Sequence, residues 1–489
     1  MNGMNSLCQK LQIPLLLALA VILLALGCEK KTAQRLRVTD SQQTSTVRAR
    51  PCNVLLIGLD SLAVPMERQW AARHETPLTI TKIGRAEFEE SKMEVANDIN
   101  VLVYPADMMV DLIDNKKIDP LGSAFYDSEE FNKFSLLKHY RKTGIRFDGK
   151  PFAATCGGPL FVQIYRADSL QDAGHTVPTT WQQLIKTQKL LASATLKDHN
   201  ARSVFMPLAE SWAAPSFMAI SSPYVRQFGR LSVLFDRKTM KPMLESAGFV
   251  RALDELKEIA ATNPKSLKMD PAAVYQALKS SEAAIGLTWP QAKEETLSGE
   301  EAASQKVLDQ LRVAQLPGTD DFFDSNDNRW IRRESGQSVT VNFHNMPGVM
   351  ASPRRSRGRK QAAEQFIAWL TEPVIGEILF GQDRRSGPFR ATHLAKTEAW
   401  GDPQACVEFR ESWAEVLGQA HEQSLIMIFP KIAQSSKYLD LLDQGIRKCL
   451  MQDLPAKESL AEVSQQWESL TKSIGRQKQL KLLERNESF

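Results

Sequence analysis

The chain has 489 residues, and its 61 Lys and Arg residues against 57 Asp and Glu residues give a formal net charge of +4. This near balance gives no support for a nucleic-acid-binding protein, a class that carries a basic patch or stripe. The chain also exceeds the size at which one hydrophobic core stops growing, so two folded lobes are predicted.

The first segment has the layout of a signal peptide. Lys10 is the only charged side chain ahead of the apolar run 13–27. A helix that spans a bilayer needs about 20 apolar residues, so this run is short for a permanent anchor. We predict a signal peptide at 1–27, and an uncleaved anchor helix is the alternative.

A cysteine closes this apolar run, in the sequence Leu24-Ala25-Leu26-Gly27-Cys28. The stretch resembles the lipobox of bacterial lipoproteins, although the leucine and the small residue stand in the reverse of the usual order. The resemblance implies that Cys28 is lipidated and that the protein is anchored to a membrane on its extracytoplasmic side. Residues 28–50 are polar and predict a flexible, lipidated tether.

The remaining cysteines suggest no metal site. Cys8 would leave with the signal peptide, and four others would remain in an oxidising compartment. Their spacings are too wide for a zinc motif of the C-x₂-C type. Either buried thiols or ordinary disulfides are expected, and three pairings are possible among Cys52, Cys156, Cys406 and Cys449.

Strands and helices are predicted to alternate in the next hundred residues. Runs 53–59, 78–83 and 99–104 are apolar or alternating and of strand length, and a helix is predicted at 106–117. A helix is also predicted after the first run, with Asp60 or Ser61 as its N-cap. Such an alternation predicts an α/β fold with a parallel sheet, which binds ligands at the carboxyl ends of its strands.

Four later segments are more distinctive. Residues 165–191 read YRADSLQDAGHTVPTTWQQLIKTQKLL, with Thr180 and Gln183 as a predicted capping box. This segment resembles one in bacterial extracellular solute-binding proteins of the maltose-binding type, the receptors of ABC importers. Three further segments are similar to that family in the same order: 281–292, 313–318 and 348–373.

The resemblance implies the two-lobed periplasmic-binding-protein fold (type II), in which each lobe has a mixed sheet flanked by helices. Lobe one is predicted at 51–155 plus 342–389, and lobe two at 156–341 plus 390–489. Strands would cross between the lobes near 152–158, 341–348 and 387–390. A helical stripe near the C-terminus is predicted to pack on its lobe rather than form a coiled coil, and it comprises Leu460, Val463, Trp467, Leu470 and Ile474.

Aromatic rings pack on the apolar faces of a sugar, and carboxylates accept hydrogen bonds from its hydroxyl groups. The predicted ligand-binding residues are Asp60, Tyr104 and Asp107 in lobe one, and Trp212 and Trp289 in lobe two. A core role is an equal alternative for each Trp. An N-cap is the equal alternative for Asp60.

The predicted function is a lipid-anchored receptor that closes over a small solute and delivers it to the membrane subunits of an ABC importer. A carbohydrate is the favoured class of solute. A sensor lipoprotein without a transporter is one alternative, and a glycan-active enzyme with Asp60 and Asp107 as paired carboxylates is another. The seven histidines are scattered, and H-E-x-x-H, G-x-S-x-G and Walker motifs do not occur. No enzyme activity, catalytic residue, cofactor, metal or nucleic-acid partner is therefore predicted.

Overall fold

A computed structural model describes residues 50–193, 203–227, 232–290, 305–333, 338–344, 348–356, 360–383, 385–399, 402 and 404–487. The predicted signal peptide and most of the tether lie outside these ranges, and so does Cys28. Within them, no helix has the length and apolar character needed to cross a membrane.

The strands are β1 (Cys52–Ile57), β2 (Leu78–Ile83), β3 (Val101–Pro105), β4 (Arg146–Phe147), β5 (Lys150–Pro151), β6 (Ala154–Thr155), β7 (Val162–Arg166), β8 (Ser203–Phe205), β9 (Ala283–Thr288), β10 (Leu311–Ala314), β11 (Asp321–Asp324), β12 (Arg329–Arg332) and β13 (Val349–Pro353).

The α-helices are α1 (Ala63–Ala71), α2 (Arg85–Glu90), α3 (Met109–Asp114), α4 (Ser123–Tyr126), α5 (Ala167–Asp172), α6 (Trp181–Ser193), α7 (Ala213–Val225), α8 (Ala247–Thr262), α9 (Pro271–Lys279), α10 (Gln305–Leu308), α11 (Lys360–Leu370), α12 (Pro373–Phe380), α13 (Ala391–Leu394), α14 (Val407–Glu422), α15 (Ser435–Gln452), α16 (Ala456–Ile474) and α17 (Arg476–Glu487).

A five-stranded sheet has the order β2-β1-β3-β13-β6. β1 is parallel to both β2 and β3, as predicted, whereas β13 runs antiparallel to β3 and β6. β1 lies between β2 and β3, and its apolar run 54–57 is buried on both faces, whereas the edge strand β2 has only half-buried and exposed residues. We call the part of the molecule around this sheet lobe one.

A four-stranded sheet has the order β10-β7-β9-β8. β7 pairs antiparallel with β10 and β9, and β8 pairs parallel with β9. We call the part around this sheet lobe two. The two mixed sheets flanked by helices confirm the predicted fold class, and the residue limits of the lobes stay a prediction.

The chain passes from the first sheet to the second between β6 and β7, and glycines lie at this passage. Gly157 has a φ of +81°, and a Cβ there would lie 1.9 Å from the carbonyl oxygen of Gly387. A Cβ on Gly348, just before β13, would lie 2.4 Å from the carbonyl oxygen of Gly157. Three stretches of backbone therefore touch at this point because none of them carries a side chain.

Two predictions of helix starts meet different outcomes. Thr180 accepts a hydrogen bond from the Gln183 amide as predicted, but the Gln183 side chain accepts from Thr179, one residue earlier than a capping box requires. The N-cap role of Asp60 or Ser61 is wrong, because a 3₁₀ turn over Asp60–Leu62 precedes α1 and neither side chain caps it. The Ser61 hydroxyl donates instead to Asp383 at 2.6 Å.

The C-terminal helices pack as predicted. Leu460, Val463 and Trp467 of α16 are at most 1% exposed within a core shared with α7, α8 and α15. All four described cysteines carry free thiols. Burial raises the pKa of both Cys52 and Cys156 to about 12, so these thiols are unreactive.

Candidate functional site

A cavity of about 790 Å³, including the solvent-filled space at its mouth, lies where the two lobes meet. Lobe one contributes the residues that follow β3 and a π-helical turn at Tyr140–Gly144, and the passages between the sheets contribute a third side. The C-terminal part of the chain contributes His421 and the segment 428–435.

The elements that form this cavity follow from the sheet topology. β3 is parallel to β1 and ends at Pro105, so Ala106 and Asp107 emerge at the carboxyl edge of the sheet. Ligands of α/β proteins bind at this edge. The segment 428–435 closes the cavity from the opposite side, where the Gln434 amide donates to the Asp111 carboxylate at 2.8 Å.

Asp107 is part of the lining of this cavity. Its Oδ2 accepts from Arg85 Nη1 at 2.7 Å, and Arg85 also binds Glu89. Its Oδ1 is buried and has no hydrogen-bond partner among the described residues. A buried acceptor that lacks a partner costs free energy, so a bound molecule that donated a hydrogen bond to Oδ1 would remove that cost.

Four basic side chains line the same cavity: His139, His344, His421 and Lys431. Burial holds the pKa of His139 and His421 well below the ordinary value, and it lowers the pKa of His344 to about 4. The imidazoles are therefore neutral at pH 7. The Lys431 ammonium donates to the carbonyl oxygens of Thr143 and Arg146, and burial lowers its pKa to about 7.

The rest of the lining is apolar or aromatic. Tyr140 and Phe429 provide rings, and Met109, Val110 and Met350 provide flexible or branched apolar surface. The Tyr140 hydroxyl is held by the Gly158 backbone, so its ring has a fixed position. The cavity thus combines apolar walls with a few polar atoms that lack partners, which is the usual composition of a site for a small organic molecule.

The sequence profile of the family described as bacterial extracellular solute-binding protein matches residues 89–405, which is more than half of the chain. The chain belongs to this family. No curated protein sequence matches it.

Solved structures share the fold of this solute-binding protein at low identity. Maltose-bound MalE3 of T. maritima is 15% identical with a TM-score of 0.59, and the match covers 86% of this chain and 99% of that one. A solute-binding protein of Agrobacterium radiobacter K84 in complex with ribitol is 15% identical, with a TM-score of 0.62 and the same coverage. The sugar-binding protein MalE of Xanthomonas citri is 14% identical with a TM-score of 0.62, over 87% of this chain and 98% of that one.

Of the five residues that the sequence predicts as ligand contacts, Asp107 lines the cavity of this solute-binding protein. Asp60 is exposed and lies outside the lining. Tyr104 is 0% exposed, and its hydroxyl bonds to Ser352 Oγ at 2.6 Å inside the sheet of lobe one. Their ligand roles stay predictions, and the position of Tyr104 favours a core role.

The two predicted tryptophans lie together in lobe two. Trp289 directly follows β9 and is 6% exposed, and its ring centroid lies 5.5 Å from that of Trp212. Phe161 packs on Trp289 at 5.6 Å, and the residue before it, Leu160, lines the cavity. Neither tryptophan is part of the cavity lining, and a ligand role for either stays a prediction.

Sequence reasoning missed the three histidines and Lys431. Their positions, 139, 344, 421 and 431, follow no spacing that a motif could use, because only the fold brings them together. One sequence feature could have indicated His344 as a site residue, because it lies within the predicted crossing 341–348 between the lobes. Its amide donates to the Met427 carbonyl at 2.8 Å, and this bond holds the crossing against the C-terminal segment.

Proposed function

We propose that this solute-binding protein is the receptor of an ABC importer and that it binds a small carbohydrate or polyol in the cavity between its lobes. The observation that carries the proposal is the unpartnered Oδ1 of Asp107 beside apolar and aromatic walls. A hydroxyl donates to such a carboxylate, and the C-H face of the same molecule packs on a ring. Structural relatives with bound maltose, ribitol and D-mannitol support this class of solute.

Binding of the solute is expected to shift the protein from an open to a closed form. A solute that contacts both lobes favours the closed form, and only this difference in contact shifts the population. Asp107 and Tyr140 belong to the part of the chain before the first passage, whereas Phe429 belongs to the C-terminal part. A molecule held among the three would therefore join both sides.

The proposal is tested by thermal shift and calorimetry with maltose, ribitol and D-mannitol. A solute at 100 times its dissociation constant adds about 2.7 kcal/mol to stability. For any solute that binds, Asp107→Asn should weaken affinity by about 10-fold to 100-fold, the worth of a hydrogen bond to a charged group. Asp60→Asn is the matched control, because Asp60 is exposed and outside the cavity.

Loss of affinity in Asp60→Asn, with none in Asp107→Asn, would move the solute site away from this cavity. Turnover of a glycoside by the purified protein would instead favour the enzyme hypothesis. That hypothesis pairs Asp60 with Asp107, and its support is weakened because only Asp107 lines the cavity.

We also propose that Cys28 carries the lipid that keeps the receptor at the membrane. Acyl chains contribute about 0.8 kcal/mol per buried CH₂ group, so two or more chains hold a protein firmly. Cys28→Ser should accumulate as an unprocessed precursor, measured by intact mass spectrometry. A wild-type mature chain that starts elsewhere and lacks lipid would refute the anchor but leave the solute site untouched.

A further inference from the structure

Three histidine rings from separate parts of the chain form a cluster beside the cavity, which we call the histidine cluster. His139 precedes the π-helical turn of lobe one, His344 belongs to the chain that leads into β13, and His421 lies in the last turn of α14. The ring centroids of His139 and His344 are 4.3 Å apart, and those of His344 and His421 are 5.0 Å apart.

The ring nitrogens of the histidine cluster have few partners. His139 Nδ1 lies 3.0 Å from Thr143 Oγ1. Within the described ranges, neither ring nitrogen of His421 nor Nε2 of His344 has a hydrogen-bond partner. His344 has a hydrogen bond to the backbone of Ala420, which favours its protonated form. A proton added to any of these rings would still place a charge in a buried position, which costs free energy.

The groups that face the histidine cluster are mainly cationic or neutral. The charge of Lys431 helps to lower the pKa of His139. The ring centroid of Tyr140 lies 5.0 Å from that of His421 and 5.4 Å from that of His139. Asp107 lines the same cavity, but one of its oxygens is already paired with Arg85. The neighbours of the cluster along the chain, Lys138 and Glu422, pair with each other at 3.9 Å.

We propose that the histidine cluster makes closure of the two lobes sensitive to pH, so that acid opens the receptor and releases its solute. The proposal rests on the proposed function, because it concerns regulation of the same cavity. Like charges 4–6 Å apart repel, and opening separates His139 of lobe one from His421 of α14. Opening also lets water solvate the charged rings, so protonation favours the open form.

The expected size of the effect follows from linkage. Burial lowers the pKa of His344 from 6.5 to about 4. If opening restores the ordinary value, the open form binds protons more tightly, and the ratio of open to closed protein rises about 30-fold at pH 5 from this residue alone. His139 and His421 add to it in the same direction.

The test uses the solute-free protein, so that it does not depend on knowing the solute. Small-angle scattering of the wild type should show a radius of gyration that increases between pH 7.5 and pH 5. The double variant His139→Gln/His421→Gln should show a clearly smaller increase, because His344 alone remains to respond. His175→Gln is the matched control, since His175 is half-buried, lies outside the cavity lining and should leave the wild-type response intact.

Near-UV circular dichroism at each pH shows whether the increase is opening or unfolding. If the double variant fails to fold, the single variant His344→Gln replaces it, because His344 is less buried, and it should reduce the increase. A constant radius in the wild type overturns the proposal, as does an equal increase in the histidine variants.

Calorimetry with maltose, ribitol and D-mannitol then separates this proposal from the proposed function. Any of the three that binds at pH 7.5 should bind more weakly at pH 5 in the wild type, by up to about 30-fold, and less so in His344→Gln. If none binds at pH 7.5, the carbohydrate assignment loses its support, while the scattering result still decides whether the histidine cluster controls opening.

Discussion

Two groups of rings stand near the cavity, and they differ in how the chain assembles them. The tryptophan group of Phe161, Trp212 and Trp289 lies within lobe two, next to the ends of β7 and β9. The histidine cluster joins lobe one, a connecting segment and α14. The first group packs inside one lobe, whereas the second lies at the junction, where the proposed movement of the lobes would change its contacts.

The tryptophan group offers the largest expected effect. Trp289→Ala should lower the free energy of unfolding by about 3–5 kcal/mol, because the ring is 6% exposed and packs on two other rings. Urea unfolding measures this loss. Trp330→Ala is the control, since Trp330 is 38% exposed and its removal should cost less.

The affinity of the folded Trp289→Ala protein decides the role of this residue in binding. A loss of roughly 30-fold or more would make Trp289 a wall of the site, which is the sequence-based prediction. Unchanged affinity would make the tryptophan group purely structural and would sharpen the contrast with the histidine cluster.

The histidine cluster should appear in the pH dependence of unfolding. The pKa of His344 is about 4 in the folded protein, against 6.5 ordinarily, so the unfolded chain binds more protons below pH 6.5. Stability from this residue is complete above pH 6.5, is lost as pH falls, and drops by about 2 kcal/mol at pH 5. Urea titrations of wild type and His344→Gln at pH 7.5 and pH 5 measure the difference, which should shrink in the variant.

Asp111 should oppose this trend with a smaller effect. Burial raises its pKa from 3.8 to about 6, so the folded protein binds more protons than the unfolded chain between these values. The carboxyl therefore adds about 1 kcal/mol to stability as pH falls from 7.5 to 5. Asp111→Asn removes this gain, so acid should destabilise that variant more than the wild type. A smaller acid effect in Asp111→Asn would mean that the sign is wrong.

Tyr104 offers the smallest expected effect. Tyr104→Phe removes a hydroxyl that bonds to Ser352 in a position 0% exposed, which should cost about 0.5–1.5 kcal/mol. Solute affinity should not change if the residue belongs to the core. A clear loss of affinity with little loss of stability would restore the predicted ligand role.

Local patterns were enough to predict β1, β2 and β3 of lobe one and the C-terminal stripe. The run 53–59 is apolar because β1 is covered on both faces, so an apolar run of this kind indicates a buried strand. Burial alone does not show which way a side chain points at the end of a strand. Tyr104 and Asp107 are three residues apart, yet one enters the core and the other lines the cavity.

The histidine cluster could not be predicted for a different reason. Its members meet only when the connecting segment before β13 and the end of α14 are placed against lobe one. No periodicity relates residues 139, 344 and 421, so the sequence made them look scattered. Long-range meeting points of this kind are decided by topology rather than by local pattern.

The glycine contacts at the passage between the sheets have a mechanical consequence. Gly157, Gly348 and Gly387 touch backbone to backbone, so the stretches that carry them cannot turn past one another independently. We therefore expect these stretches to bend together about a shared axis when the lobes move. A methyl group at Gly157 would act as a wedge in that axis, because its Cβ would lie 1.9 Å from a carbonyl oxygen of the neighbouring stretch.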